Sequence, residues 1–238
     1  MAGSIILSAT ASLKIGAGKC SIISEECTRP ICQVNIPEAS FIAYEGTIPN
    51  SKKNAFGIGP GLGTNSKSKE FLIAILKLST KPIVIDADAL NIIADNPELL
   101  KGVPKNSILT PHTGEFHNLF GQHPTDYQRI TTQTELAKKN KLFIVLKGKY
   151  TTIACPDGEL YFNNTGNSGM ATGGSGDVLT GMITGLLAQG YTPKEACILG
   201  VYLHGMSGDL AKEDLGDMSL MAQDLITYLP LALNRIRS

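Results

Sequence analysis

The residues best placed to do chemistry lie in one stretch, Asn164 to Gly181, which reads N-T-G-N-S-G-M-A-T-G-G-S-G-D-V-L-T-G. Gly173, Gly174 and Gly176 have no Cβ, so this backbone can turn sharply and present its N–H groups to a ligand. Val178 to Gln189 follows as a predicted apolar helix, with Gly190 as the residue that ends it. Free amides and the positive end of a helix dipole therefore converge on one point, which suits an anion. Asp177 stands at that point. A carboxylate among anion-binding amides is explained if it takes a proton from a substrate hydroxyl. The plainer reading is that Asp177 caps its helix; the glycines and hydroxyl residues just ahead of it favour chemistry.

Further candidates stand where apolar runs end. Ala55 to Ile58 leads into Gly59-Pro60-Gly61-Leu62-Gly63, whose alternating glycines fit no dinucleotide fingerprint. The run K-P-I-V-I-D ends in Asp86-Ala87-Asp88-Ala89-Leu90-Asn91, where either aspartate could act on a ligand or simply cap the next turn. Ile108 to Thr110 runs into Pro111-His112-Thr113-Gly114-Glu115, with Thr113 the expected cap of a helix starting at Glu115. Leu142 to Leu146 ends in Lys147-Gly148. Gly, Asp, His and Lys at the carboxyl ends of strands mark the ligand edge of an open α/β sheet. His117 and His123 have no such setting and are expected on the surface.

The elements that must position these groups alternate. Helices are expected at Ser4–Ile15, near Ser68–Leu78, at Tyr127–Lys139, from the Thr192-Pro193-Lys194-Glu195 capping box to about residue 213, and after Ser219. Between them fall short strands, including Cys20–Ile23, and a hairpin of Thr151–Cys155 with Leu160–Phe162. Residues 24–54 read as irregular, punctuated by Pro30, Pro37 and Pro49. Gly16-Ala17-Gly18-Lys19 is not a phosphate loop, because Leu13 stands where the pattern needs glycine. The alternation predicts one α/β domain, residues 1–238, around a mostly parallel sheet.

Lys plus Arg and Asp plus Glu number 21 each, Trp is absent and aromatics are 6%. That balance argues against a nucleic-acid partner. Apolar runs are too short for a membrane span, and no signal peptide is evident, so the expected location is the cytoplasm. Five cysteines without C-x-x-C spacing fit a reducing compartment. Taken together, an anion hole holding a carboxylate, a strand-end lysine, a histidine and a second glycine loop suit phosphoryl transfer to a hydroxyl.

G-P-G-L-G (59–63), D-A-D-A-L-N (86–91), T-P-H-T-G-E (110–115), L-K-G (146–148) and M-A-T-G-G-S-G-D-V-L-T-G (170–181) occur in that order, followed by Tyr202-Leu203-His204-Gly205, Gly208-Asp209 and Ala222-Gln223-Asp224-Leu225-Ile226. This set resembles the ADP/ATP-dependent NAD(P)H-hydrate dehydratases of the ribokinase-like superfamily. The resemblance implies a three-layer α/β/α fold. It also implies repair of NADH or NADPH hydrated at C6 of the nicotinamide: the hydroxyl of the S epimer is phosphorylated by ADP or ATP, and phosphate is then eliminated. Carried over by motif, Asp177 is the base, and Gly174, Ser175 and Gly176 bind phosphate. Ser4, Gly63 and His112 contact the hydrated nucleotide. Lys147, Gly148, Lys149, Tyr150, Thr151 and Gly176 line the ADP/ATP site, with Mg²⁺ arriving on the nucleotide through ligands the sequence does not assign. The resemblance further implies a homo-oligomer, a tetramer being the expectation, and in some relatives an epimerase domain ahead of this one. It also implies a strand and glycine loop before Met1-Ala2-Gly3-Ser4, a first strand that residues 1–238 do not include. Two other readings stay open: a vitamin-type kinase of the same fold that releases its phosphorylated product, and a non-catalytic nucleotide-binding module.

Overall fold

A computed structural model of the chain describes residues 1–45 and 54–236. The chain begins with helix α1 (Ala2–Lys14) and strand β1 (Ser21–Ser24), close to the expected bounds. The following stretch is not irregular: it holds helix α2 (Arg29–Asn35) and strand β2 (Ser40–Ala43). Pro30 lies in the first turn of α2, where a missing N–H costs nothing, so it opens a helix instead of breaking one. Seven residues are too few to display a helical period, and buried Cys32 and Ile36 fix the segment through tertiary packing. Pro49 lies outside the described residues.

Strands β3 (Gly57–Ile58), β4 (Val84–Ile85), β5 (Ile108–Leu109) and β6 (Phe143–Leu146) then pair in parallel, in that order. The hairpin β7 (Thr152–Ala154) and β8 (Leu160–Phe162) extends this sheet antiparallel. β1 and β2 form a separate parallel pair. A cavity of about 1180 Å³ lies between the two sheets, bordered by Ile22, Ile23, Phe56 and Ile58.

Alternating strand residues divide the core. Val84, Ile108, Phe143 and Val145 pack under α1, α7 (Ser175–Ala188), α8 (Pro193–Leu215) and α9 (Ala222–Arg235). Ile85 and Leu109 pack with α3 (Ser66–Leu78) and α4 (Ala87–Asp95), whereas Ile144 and Leu146 pack with α5 (Thr113–Phe120) and α6 (Asp126–Asn140). The result is helix, sheet, helix. α8 opens with the expected box: Thr192 Oγ1 accepts from Glu195 N–H, and Glu195 accepts from Thr192 N–H. α9 begins after Met221, not at Ser219, and Asp224 accepts the Met221 N–H. His117 and His123 are half-buried instead of exposed on the surface, His123 lying against Phe116 and His117 against His123. Among the described residues, no helix is long and apolar enough to cross a membrane.

Candidate active site

Four parallel strands deliver their carboxyl ends to the amino end of α7. That helix starts at Ser175, three residues before the expected Val178, so Asp177 lies inside its first turn. Gly174 is the N-cap, with φ +90, and a Cβ there would meet Leu7 Cδ1 at 2.5 Å. The first helical bond runs from Val178 N–H to Gly174 O at 3.1 Å, which leaves the amides of Gly176 and Asp177 without an acceptor inside the helix. Buried Ser175 turns its carbonyl to His204 Nε2 at 2.9 Å. Burial pushes the imidazole down to about 4, so at neutral pH it is uncharged and donates this bond.

Asp177 makes no cap. Its half-buried carboxyl is pushed above the ordinary aspartate range by desolvation, with smaller upward pressure from Asp86 and Asp88. A hydrogen bond from the Ser4 hydroxyl and the charge of Lys147 pull the other way. A base that is harder to deprotonate than free aspartate is a better proton acceptor once it is ionised.

Lys147 enters from the end of β6, where its N–H donates to Pro111 O at 2.8 Å. Its Nζ donates to Asp86 Oδ1 at 2.7 Å and lies 3.7 Å from Glu115 Oε2. A Cβ on Gly176 would stand 3.1 Å from this ammonium, so glycine lets the cation rest against the first turn of α7. Asp86 occupies the N-cap position of α4 but makes no side-chain cap, contrary to the simpler sequence reading. Its second oxygen accepts from Thr180 Oγ1 at 2.6 Å. Asp88 accepts the Gly63 N–H at 2.7 Å and so pins the Gly59–Gly63 loop.

His112, not Thr113, caps α5: its Nδ1 accepts from the N–H groups of Gly114 (3.0 Å) and Glu115 (3.2 Å), while Glu115 accepts the His112 N–H. An imidazole nitrogen can fill a cap when the helix starts directly after it. With Nδ1 accepting, the proton sits on Nε2, whose exposed ring can donate to a ligand.

Ser4, Lys147, Gly174, Ser175, Gly176 and Asp177 thus converge, and His112 joins them through Glu115. Gly148, Lys149 and Tyr150 are exposed along the rim, with Thr151 Oγ1 tied back to Gly148 O at 3.2 Å. Gly63 is on the opposite rim, its amide already taken by Asp88. Glu115, Thr180 and His204 were not among the sequence candidates for the site. Glu115 was accessible through its capping-box spacing from His112. Thr180 lies within an apolar helix and sends no signal of its own.

Helix, sheet and helix layers, with the amino end of a helix and an aspartate at the sheet's carboxyl edge, place the chain in the ribokinase-like class of α/β folds. A family model described as NAD(P)H-hydrate dehydratase matches residues 1–231, and the chain belongs to that family. It is similar to the ADP-dependent (S)-NAD(P)H-hydrate dehydratase of Neisseria meningitidis serogroup B, 40% identical over 224 residues that cover 91% of this chain and 75% of the relative. It is also 38% identical to the bifunctional NAD(P)H-hydrate repair enzyme Nnr of Moorella thermoacetica, over 99% of this chain and 48% of the relative. The chain therefore spans about half the length of the bifunctional relatives it matches. The solved ADP/ATP-dependent NAD(P)H-hydrate dehydratase of Bacillus subtilis, co-crystallised with ATP/Mg²⁺, superposes with a TM-score of 0.88 at 32% identity, covering 99% of this chain and 85% of that one.

Proposed function

We propose that this chain is a lyase that returns the S epimer of hydrated NADH or NADPH to the reduced cofactor, using ADP or ATP. The observation that carries this reading is Asp177: a raised carboxyl, free of any capping role, set among unpaired amides beside the Lys147 ammonium. Asp177 takes the proton of the C6 hydroxyl as its oxygen attacks the terminal phosphorus of the nucleotide. Gly174, Ser175 and Gly176, with the free amides of Gly176 and Asp177, the dipole of α7 and Lys147 stabilise the charge on the transferring group. The nucleotide leaves one phosphate shorter. The ring nitrogen then expels phosphate from C6, a proton leaves C5, and the C5–C6 double bond returns.

Ser4, Gly63 and His112 are proposed to hold the hydrated nucleotide, and Lys147 to Thr151 with Gly176 the ADP or ATP. Among the described residues, no group of three His, Cys, Asp or Glu is arranged for a metal. Asp86, Asp88 and Glu115 already have protein partners. Mg²⁺ would be carried in on the nucleotide phosphates, whose charge it would neutralise. Residues 1–238 are read as one ribokinase-like domain of a cytoplasmic homo-oligomer, a tetramer, with an epimerase as a fused or separate companion; relatives named bifunctional, of which this chain covers about half, leave room for such a companion.

The test is the near-ultraviolet absorbance of the dihydronicotinamide after mixing hydrated NADH, Mg²⁺ and either nucleotide. We expect a nucleotide-dependent rise with one phosphate released per ring restored. Asp177→Asn should lower kcat by roughly 10²–10⁴ while leaving nucleotide binding intact. Phosphate retained on an organic product would point to a kinase, and an unaffected Asp177→Asn would remove the base.

A further inference from the structure

Lys147 has a long side chain that free rotation would scatter into solvent. In this structure it is only 19% exposed and is already fixed. Asp86, itself 1% exposed, holds it, although Asp86 stands where a side chain ordinarily turns back to cap its own helix. A buried carboxylate is tolerated when both oxygens are matched. Here each oxygen has one donor: Oδ1 takes Lys147 Nζ at 2.7 Å and Oδ2 takes Thr180 Oγ1 at 2.6 Å. The threonine comes from the second turn of α7, the same helix whose first turn carries Gly176 and Asp177. Glu115 lies on the far side of the ammonium at 3.7 Å.

We propose that Asp86 and Thr180 are positioning residues, which hold the Lys147 ammonium against Gly176 at the mouth of the anion site before a nucleotide arrives. Thr180 orients the carboxylate, the carboxylate aims the lysine, and α7 carries both ends of the chain of bonds. The ammonium has three donors. Asp86 takes one and Glu115 attracts a second, which leaves one for a phosphate oxygen. The cation therefore needs no reorganisation when charge develops there. The effect on turnover rests on the dehydratase reading, whereas the geometry does not.

Thr180→Val removes the hydroxyl, Thr180→Ser retains it, and Asp86→Asn removes the charge at unchanged shape. The direct readout is the rate at which acetic anhydride acetylates Lys147, measured by peptide mass spectrometry against exposed Lys149 in the same molecule. Acetylation should be several-fold faster in Thr180→Val and Asp86→Asn, with wild-type protection in Thr180→Ser. With hydrated NADH and ADP, kcat should fall roughly tenfold to a hundredfold in the first two and recover in the third. The KM for the hydrate should be unmoved throughout. The acid limb of the pH profile in Asp86→Asn should move to lower pH. Asp177 then loses the Asp86 charge that raised it and, with Lys147 released, the smaller pull of the ammonium that lowered it, while Asp88 and Ser4 stay as neighbours, so the net shift is downward. Wild-type protection of Lys147 in a folded Asp86→Asn, or in a folded Thr180→Val, would overturn the proposal. Should Thr180→Val fail to fold, Asp86→Asn alone decides. An inactive wild type whose Lys147 is shielded, and unshielded in the variants, would count against the dehydratase and leave the positioning role standing.

Discussion

Gly181→Ala should loosen the active site from a position that touches no ligand. α1 and α7 meet along two small-residue ladders of spacing four: Ser4, Ser8 and Ser12 on one helix, and Asp177, Gly181 and Gly185 on the other. A Cβ on Gly181 would stand 2.8 Å from the Ser8 carbonyl carbon and 2.9 Å from Ser8 Cα, and closer still to its oxygen. Carbon atoms prefer about 3.5–4.0 Å, and the obstacle is backbone, so α1 must retreat. Overpacking of this kind costs about 1–3 kcal/mol, with backbone clashes at the upper end. Alanine returns about 1 kcal/mol of helix propensity. The net loss is then about 2 kcal/mol, which lowers Tm by about 4–8 °C for a chain of this size. Gly3→Ala on α1, where a Cβ meets nothing within 4 Å, is the control and should stabilise slightly or do nothing. As α1 retreats, the Ser4 hydroxyl leaves Asp177, whose carboxyl then rises further, so the acid limb of activity moves to higher pH. The assay is a thermal melt of both variants followed by a pH–rate profile. A Gly181→Ala protein that melts at or above the wild-type temperature would refute the reasoning.

Two further predictions follow from the buried groups. Asp177 has a folded pKa above its unfolded value near 3.8, so it favours folding only at low pH, and that contribution is lost as pH rises through the folded pKa. Asp177→Asn should therefore raise Tm at neutral pH while abolishing turnover, with the gain shrinking as pH falls through the folded pKa toward the unfolded value near 3.8, as paired melts would show. His204 behaves oppositely: its folded pKa is pushed down to about 4 from 6.5. Wild-type stability should fall as pH drops from 6.5 toward 4, and His204→Gln should flatten that slope in a denaturant titration.

The alternation of strands and helices was legible because it is written in local periodicity and in caps such as the Thr192–Glu195 box. The anion loop was legible because only glycine tolerates φ +90 at Gly174, so the composition of the stretch discloses its conformation. His112 and Lys147 were singled out because they stand where apolar runs end, and Asp177 because a carboxylate stands among anion-binding amides. Segments with little local signal were not legible: α2 is too short to show a period, and β2 is ordered by its pairing with β1.

Partner choice was decided by tertiary structure alone. Asp86 reads equally well as a cap or a ligand residue until Lys147, 61 positions away, and Thr180, 94 positions away, take its two oxygens. Ser4 looks like any polar residue near a helix start until the glycines of α7 let its hydroxyl reach Asp177. Residue types and spacing determined which groups could act, because conformation within a segment follows from neighbours along the chain. Which groups act on one another depends on packing between segments, since a hydrogen bond near 2.7 Å is decided by where two helices and four strand ends come to rest.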